Sequence, residues 1–527
     1  MKIRLVSPDA WAKRLRNRIG RPPHRGGFSQ SLFGRLIAHL VLAGVFLPAA
    51  SFHARANTYI WVPSSGTWNA ANWGGTLPGP SDTAIIESGG TANVTVGVSG
   101  TAEDLTMGGN AGTGTLNVNG GTVTDQNGFV GYSNGANGTA TITSGIWSNS
   151  GSLSIGNAGT GTLNVNGGTV TDATGYVGYI SSGTATITSG TWSTSGALYI
   201  GYTGLGFSGT GTLNLTGGSV SVGSGAGTLI LADNAFFGAA SAGTLNLGTG
   251  GTAGTLSAAA VSAGGGTAVV NFDQTGTYTF APQLTGTLTV NNLGSGATIL
   301  TGSSNYTGAT TVTAGALVVS GSLTGTVSAS VAASANLEVD GLLNNNATTT
   351  VNGELDGTGT VGAVNVEASG TLAPGLSTLT PSVSGTLTAA GNVTFAGTST
   401  LSIRLGVASG GDSDQLVLSP GELLYLDGAN LQLTIDPNFA YQLVNFIYVL
   451  INGGTASTGN ISGQFAQGTQ IEDSAGDTYD ILYNVDAAGN AAGGNDVDLE
   501  LVSIPEPGTW AMLLGASGLL LAFRRRR

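Results

Sequence analysis

The chain has 527 residues, of which 90 are glycine and none is cysteine, and charged residues make up only 8%. So much glycine among β-branched residues, without the strict three-residue period of collagen, favours short strands and tight turns and leaves little room for helices. Basic residues concentrate at the two ends of the chain. Residues 57–504 contain one basic residue, Arg404, and 26 acidic residues. The resulting net charge of −25 excludes binding to the phosphates of nucleic acid.

Residues 1–56 are predicted to be a signal peptide. A basic segment precedes an apolar run at 36–50, and Ala54 and Ala56 supply the small residues that signal peptidase reads. Cleavage is therefore expected before Asn57. The alternative is an uncleaved anchor helix, for which a fifteen-residue run is short.

Residues 57–93 are rich in tryptophan, with Trp61, Trp68 and Trp73 close together. Large rings at this place can cover the open end of a stack of strands, where apolar core would otherwise face water. We interpret the segment as an N-terminal cap. A sugar-binding aromatic platform is the alternative, although aromatic side chains pack more often than they bind ligands.

Residues 94–290 contain a sequence repeat. GTGTLNVNGGTVTD at 112–125 returns unchanged at 159–172, and a degraded copy follows at 209–222. Fourteen residues cannot bury a core alone, so each copy must stack on the next. The fold is therefore predicted to be a stack of coils.

The spacing of equivalent residues gives the length of one coil. Intervals of 24, 23, 22 and 28 residues separate Leu116, Ala140, Leu163, Ala185 and Leu213. Within a coil, apolar and polar residues alternate on either side of Gly120 and Gly121, and a third strand is expected at Phe129. The pattern predicts an all-β, right-handed parallel β-helix of about 20 coils; a β-sandwich is the alternative, but it does not repeat identical strings.

Two kinds of side chain recur at equivalent positions. The asparagines favour a hydrogen-bonded ladder or turn over a ligand site: Asn117, Asn119, Asn164 and Asn166. The aromatic residues favour a stacked ladder in or along the core, with a solvent-facing strip for sugar rings as the alternative: Trp147, Trp192, Tyr132 and Tyr179. These four aromatic residues are the candidate glycan contacts.

Residues 291–400 contain LTGSSNYTGATTVTAGAL at 300–317. The Asn-Tyr-Thr-Gly core, the Thr-Val strand and the Gly-x-Leu strand resemble the passenger-associated repeat of autotransporter proteins. That resemblance implies further β-helix coils in this part of the chain.

Residues 401–503 are acidic and carry longer alternating runs, which predict a C-terminal β region that caps the stack. The acidic loop at 472–480 and the pair Asp496 and Asp498 carry oxygens of the kind that calcium prefers. Their spacing fits neither an EF-hand nor a glycine-rich calcium repeat, so a solvated acidic turn is favoured and no metal site is predicted.

Residues 504–527 combine a Pro-flanked acidic motif, a short apolar stretch that predicts a membrane helix, and a basic end. The motif and basic end comprise Pro505, Glu506, Pro507, Arg524, Arg525, Arg526 and Arg527. The segment resembles the PEP-CTERM sorting signal. That resemblance implies transient anchoring in the inner membrane of a Gram-negative bacterium, processing by an exosortase-type membrane protease, and delivery to the cell surface or exopolysaccharide matrix. A plain C-terminal anchor is the alternative.

Without residues 1–56 the chain has no histidine, cysteine or lysine, so imidazole and thiol chemistry are unavailable. We therefore expect no enzyme and no cofactor, but a structural or adhesive surface protein that contacts exopolysaccharide or other cells. The alternatives are a glycan-binding protein or a hydrolase that uses only carboxylates, with Asp125 and Asp172 as its pair. Binding to ice or crystals through rows of threonine is a further alternative.

Overall fold

The structure is a computed structural model that describes residues 56–503 except 111, 204–206, 235–239, 376–384, 407–412, 436–446, 454–459, 474–475, 487–489 and 491–493. All described residues belong to one compact unit that begins at Ala56. The hydrophobic helices predicted at the two termini lie outside the described residues. Within the described part of the chain, no helix has the length and apolar character needed to cross a bilayer.

The strands stack into four sheets, numbered I to IV here. Sheet I takes one short parallel strand from each of the first coils. In order along the sheet, these strands are Thr58–Ile60, Thr83–Ile86, Asp104–Met107, Asn127–Val130, Ser152–Ile155, Thr174–Val177, Leu198–Tyr202, Thr228–Asp233, Ala260–Ala263 and Gln283–Thr285.

Sheet II accompanies almost the whole stack, and its strands pair in parallel. Its strands are Ser65–Thr67, Gly90–Thr95, Ser99–Thr101, Thr113–Asp125, Asn137–Asn149, Thr160–Asp172, Ser182–Thr194, Thr210–Leu215, Ser219–Val222, Ala242–Gly251, Thr255–Ser257, Thr267–Gln274, Leu288–Asn292, Thr310–Val312, Ser328–Val331, Thr348–Val351, Ala363–Val366, Val393–Phe395, Leu424–Tyr425 and Ile461–Ser462.

Sheets III and IV complete the later coils. Sheet III contains Tyr278–Phe280, Ala297–Leu300, Ala316–Val319, Asn336–Val339, Glu354–Gly357, Thr371–Pro374, Thr400–Leu405 and Asn430–Ile435. Sheet IV contains Ser303–Ser304, Ser322–Leu323, Leu342–Leu343, Thr360–Val361, Thr386–Ala389, Gln415–Leu418, Ile447–Asn452, Asp496–Ser503, Thr478–Val485 and Gln470–Glu472. Two short 3-10 helices occur at Ala70–Trp73 and Gly223–Gly225.

The pairing between coils confirms the predicted register. Neighbouring strands of sheet II pair these residues in sequence order: Leu116, Ala140, Leu163, Ala185 and Leu213. All five side chains are fully buried, and full burial of a large aliphatic side chain contributes about 1.5–3 kcal/mol. The described chain is thus all-β, with long parallel sheets of the kind found in β-solenoids.

The prediction of three short strands per coil is wrong for the first coils. Thr113–Asp125 runs as one strand through the glycine pair, and the pairing register shifts there. Gly120 has φ +90°, and a Cβ on Gly121 would lie 2.5 Å from the Thr95 carbonyl oxygen. The pair therefore forms a β-bulge, which bends the strand without ending it. From residue 278 onward the coils do contain three short strands, on sheets III, I and II in the first of them and on sheets II, III and IV thereafter.

A column of glycines holds the turn after sheet I against sheet II. It comprises Gly114, Gly138, Gly161, Gly183, Gly211 and Gly243. A Cβ on Gly161 would lie 2.1 Å from the backbone nitrogen of Gly156 and 2.4 Å from the Val130 carbonyl oxygen. Because both neighbours are backbone atoms, no side-chain movement can relieve such a contact.

The asparagine ladder predicted from the repeat is present in part, since Thr141 lies between Asn117 and Asn164 in the strand pairing. The Asn117 amide donates to the Asn93 side-chain oxygen at 3.0 Å, one coil away. Farther along, the chain of amide-to-amide bonds is continuous at 2.7–2.9 Å through Asn214, Asn246, Asn271 and Asn291. Asn119 and Asn166 accept hydrogen bonds from hydroxyl groups of the following coil. The asparagines therefore stabilise the stack.

The tryptophans near the start of the stack pack inward. Trp61, Trp68 and Trp73 are each 3% exposed, and the ring of Trp73 meets the other two edge to face at 5.1 and 4.7 Å. A Cβ on Gly90 would touch Trp61, and one on Gly100 would touch Trp68. The rings thus fill space against the first coils, and none offers a face to a sugar.

The end of the stack changes from parallel to antiparallel pairing. Asp496–Ser503 pairs antiparallel with Ile447–Asn452 and with Thr478–Val485. Just before this change, Arg404 forms an ion pair with the buried Asp414 at 2.5 Å and donates to the Gly375 carbonyl oxygen at 2.7 Å. The only arginine of residues 57–504 therefore ties three segments of the chain together.

Candidate functional site

The predicted processing residues lie at the edge of the described chain or outside it. Ala54 and the entire predicted sorting signal are outside the described residues, whereas Ala56 and Asn57 are exposed. The backbone N–H of Asn57 donates a 2.9 Å hydrogen bond to the Asp82 carboxylate. This bond, together with one from the Gly79 backbone, lowers the pKa of Asp82.

The two equivalent tryptophans are core residues. Trp147 and Trp192 are completely buried. Each indole N–H donates to a carboxylate, that of Trp147 to Asp125 at 2.7 Å and that of Trp192 to Asp172 at 2.5 Å. The predicted core position is confirmed. The two rings do not stack on each other, however, since Val170 separates them in the ladder, and a solvent-facing strip cannot include them.

The carboxyl groups beneath these indoles are equally buried. Burial raises the pKa of Asp125 to about 8 and that of Asp172 to about 6, against the opposing effect of the indole hydrogen bonds. Raised carboxyl pKa values occur in general acids. Here the side chains are only 6% and 4% exposed, and Asn149 lies beside Asp125 in the next coil. The pair proposed for glycoside hydrolysis is therefore closed to a polysaccharide chain.

An aromatic ladder runs along the outer face of sheet I. Four successive coils carry the sequences FVGY, SIGN, YVGY and YIGY, at 129–132, 154–157, 176–179 and 199–202. The third residue of each is a glycine with φ between 73° and 77°. The second residue of each is fully buried, so the first and fourth lie on the outer side of the sheet, where Ser154 is nevertheless only 3% exposed.

The outward residues form two columns of rings. The inner column is Phe129, Tyr176 and Tyr199, and the outer column is Tyr132, Tyr179 and Tyr202. Tyr176 and Tyr199 stack with centroids 5.1 Å apart and planes 11° from parallel, and Tyr179 and Tyr202 stack at 5.2 Å and 8°. The columns meet edge to face, for example at 4.9 Å between Tyr176 and Tyr179. Such pairs contribute about 0.5–1.5 kcal/mol each beyond their buried area.

One coil interrupts both columns. Ser154 pairs with Phe129 on one side and with Tyr176 on the other, and Asn157 stands where the other three coils carry tyrosine. The missing rings leave a cleft of about 410 Å³ in this face, which is within the size range of small-ligand pockets. We call this cleft the notch. It is lined by Phe129, Gly151, Ser152, Ser154, Asn157, Ala173, Thr174, Tyr176 and Tyr179.

Tyr176, which lines the notch, is uncharged over the physiological pH range. Burial, and then the neighbouring tyrosines, raises the pKa of Tyr176 to about 12. The same causes raise the pKa of Tyr202. Neutral phenols can both donate and accept hydrogen bonds while their faces stay apolar.

Sequence reasoning identified Tyr132 and Tyr179 but missed the rest of the ladder. Tyr132 is 45% exposed and Tyr179 is half-buried, so both remain candidates for ligand contact. The signal for the other rings was present in the repeated x-[VI]-G-x sequence after each long strand. It is visible only once the glycines are aligned, because the preceding strings differ between the coils.

The acidic C-terminal residues do not converge on a metal site. Asp473 accepts the backbone N–H of Asp477 at 3.0 Å and the Tyr479 hydroxyl at 3.3 Å, which closes a turn. Asp496 accepts the Gly453 backbone N–H. Among the described residues, no three histidine, aspartate or glutamate side chains are grouped so that they could hold a metal ion.

Comparison with known proteins bears on the C-terminal end of the chain. Residues 503–527 match the PEP-CTERM protein-sorting motif. This motif indicates a secreted protein that an exosortase-type system sorts to the cell surface. No curated protein matches the chain significantly. The match does not include residues 300–317, so their likeness to passenger repeats stays a prediction.

Proposed function

We propose that this protein is a structural or adhesive β-solenoid of the outer surface or exopolysaccharide matrix of a Gram-negative bacterium. The observation that carries the proposal is the sorting motif at 503–527, placed after a long stack of parallel coils. In this proposal the stack is a right-handed β-helix, and the C-terminal segment anchors transiently in the inner membrane before processing. The acidic body then presents a long side surface to matrix or neighbouring cells.

The proposal excludes catalysis as the main role. The mature chain has no histidine, cysteine or lysine, and the raised carboxyl pKa values of the repeats belong to side chains under buried indoles. Release of reducing sugars from matrix polysaccharide by the purified protein, abolished in an Asp125→Asn, Asp172→Asn double variant, would contradict this part.

The start of the stack is suited to signal-peptide cleavage after Ala56. Cleavage would convert the Asn57 backbone nitrogen into an ammonium group 2.9 Å from the Asp82 carboxylate, so a hydrogen bond would become an ion pair. N-terminal sequencing of the exported protein should therefore begin at Asn57. A different first residue, or an intact residue 1–56 segment, would contradict the predicted site.

Localisation tests the proposal directly. Cells that express the wild-type chain should release a protein without Arg524–Arg527 to the surface fraction, whereas exosortase-deficient cells should retain it in the inner membrane. Replacing Glu506 with Gln provides a point variant with an unchanged apolar segment. A surface-localised protein that still carries its four arginines by intact-mass spectrometry would rule out sorting by cleavage. Unchanged cell aggregation and matrix cohesion after deletion of the gene would rule out the structural role.

A further inference from the structure

We propose that the notch in the aromatic ladder binds one pyranose ring of a neutral polysaccharide. The ring would lie in the mouth of the notch against Phe129 and Tyr176, with the nearly buried Ser154 beneath it. This inference deepens the proposed matrix function and rests on it for the source of the glycan. The binding itself can be measured on purified protein.

The orientation of the rings leaves an open face on one side of the notch. Tyr176 stacks on Tyr199 with nearly parallel planes, so one face of Tyr176 is covered and the opposite face is turned toward Ser154. Phe129 stands on the far side of Ser154 in the same column and meets Tyr132 edge to face, as Tyr176 meets Tyr179. The notch therefore has an aromatic wall at each end.

The gap is wide enough for one inserted ring. Phe129 and Tyr176 belong to strands two positions apart, which corresponds to about 9.5 Å between equivalent atoms. Two van der Waals contacts of about 3.7 Å take up most of that distance and leave about 2 Å for the thickness of the inserted ring. One inserted ring therefore fits between the walls, and the polar groups at its edge must distinguish a sugar from a flat aromatic ring.

The base of the notch supplies hydrogen-bonding groups. The side chains of Thr174 and Asn157 line the notch and make no hydrogen bond to another described residue, and the Ser154 hydroxyl belongs to a residue that is only 3% exposed. Ser152, by contrast, is held by Asn127 at 3.1 Å. A sugar ring offers apolar C–H faces to the walls and hydroxyl groups at its edge, which is the combination that these side chains complement.

Charge selects a neutral sugar. The notch lining contains no arginine, lysine or histidine, and the surrounding body carries a net charge of −25. A uronic acid or sulfated sugar would meet repulsion without a cation to pair with. We therefore expect neutral hexose polymers to bind in preference to acidic ones.

Isothermal titration of the full-length exported protein tests the assignment. The probes are cellohexaose, laminarihexaose, maltohexaose and mannohexaose, with hexagalacturonate as the acidic comparison. At least one neutral hexaose should bind, and hexagalacturonate should bind at least tenfold more weakly. No binding of any neutral hexaose, or preference for hexagalacturonate, overturns the inference even if the protein is correctly localised.

A variant that completes the ladder locates the site. Ser154→Tyr with Asn157→Tyr makes this coil read YIGY, as in the coil at 199–202, so the fold has a template for it. The filled notch should bind the hexaose at least tenfold more weakly, with an unchanged or higher melting temperature. Tyr176→Ser removes one wall and should weaken binding by a similar factor.

The matched control is Tyr202→Ser, which removes a ring of the outer column that does not line the notch. Its affinity should stay within about twofold of wild type. Unchanged affinity in the filled variant, or an equal loss in Tyr202→Ser, would place the glycan elsewhere on the ladder and overturn the assignment. Tighter binding of free indole than of the hexaoses would show that the occupant is a flat aromatic ring.

Discussion

Two regions of the stack reach the same architecture by different means. In the repeat region, 113–202, paired residues of sheet II are 22–25 positions apart and much of the sequence recurs. In the three-sheet region, 278–405, paired residues of sheet II are mostly 19 or 20 positions apart, and little recurs except inward aliphatic residues. A parallel stack therefore requires only that inward pattern. The additional recurrence in the first region lies partly on outward residues, and it builds a surface.

The largest expected effect concerns the buried ion pair near the end of the three-sheet region, which has no counterpart among the repeats. Asp414 is 1% exposed on its side chain, and Arg404 is its ion-pair partner. Arg404→Met should cost about 3–5 kcal/mol, because a buried carboxylate then lacks its counter-charge. Urea unfolding followed by native-state hydrogen exchange should show the loss in the three-sheet region, with the repeat region nearly unaffected.

The double variant Arg404→Met, Asp414→Leu is the control for this prediction. It removes both charges and should recover most of the lost stability. If the single variant is as stable as wild type, the ion pair does not hold these segments together.

The second expected effect falls on the repeat region. Gly161→Ala places a Cβ against two backbone atoms, at 2.1 and 2.4 Å. We expect a loss of about 3 kcal/mol, the upper end of the usual range for overpacking, since backbone must move. Gly276→Ala is the matched control, because a Cβ there meets nothing within 4 Å. Equal stability of the two variants by urea unfolding would show that the glycine column is not required.

These two regions also show how far the sequence could predict the structure. The exact repeat was enough to predict the register. Leu116 and Leu163 can occupy equivalent positions only if each coil stacks directly on the preceding one. The bulge at Gly120 was mistaken for a corner, since a glycine pair suits both and only the neighbouring coil decides between them. The notch was missed because its signal is an absence: Ser154 and Asn157 become informative only when rings are known to stand on both sides.

The third prediction concerns pH and compares buried carboxyls. Folded Asp125 has a pKa of about 8 and Asp172 one of about 6, both raised by burial above the unfolded value of about 3.9. The folded state thus keeps protons that the unfolded state releases. The associated stability is complete below pH 4 and is lost as the pH rises through 6 and then 8. Each retained proton gives a slope of about 1.4 kcal/mol per pH unit.

Hydrogen exchange in the strands of the repeat region, measured from pH 5 to 8.5 and corrected for intrinsic exchange, should therefore show falling protection. Asp125→Asn, Asp172→Asn should remove most of that slope. Asp356→Asn is the control, because burial also raises the pKa of Asp356 to about 8 but its strand belongs to the three-sheet region. If the pH dependence of protection in the repeat region falls equally in Asp356→Asn and in the Asp125→Asn, Asp172→Asn variant, the two regions unfold as one cooperative unit.

The smallest expected effect tests the seam between the regions. Asn271 donates to Asn246 at 2.8 Å and accepts from Asn291 at 2.9 Å, so the amide ladder continues from the last wide coils into the first three-sheet coil. Asn271→Ala breaks both half-buried bonds and should cost about 1 kcal/mol. Asn345→Ala, in the three-sheet region at an exposed turn position, is the control and should change stability by less than about 0.5 kcal/mol. If the ladder couples the regions, the loss in Asn271→Ala should be accompanied by a lower urea m-value, because the single transition begins to separate into two. A lower midpoint with an unchanged m-value would show that the amides add stability without coupling, and that backbone pairing alone makes the stack cooperative.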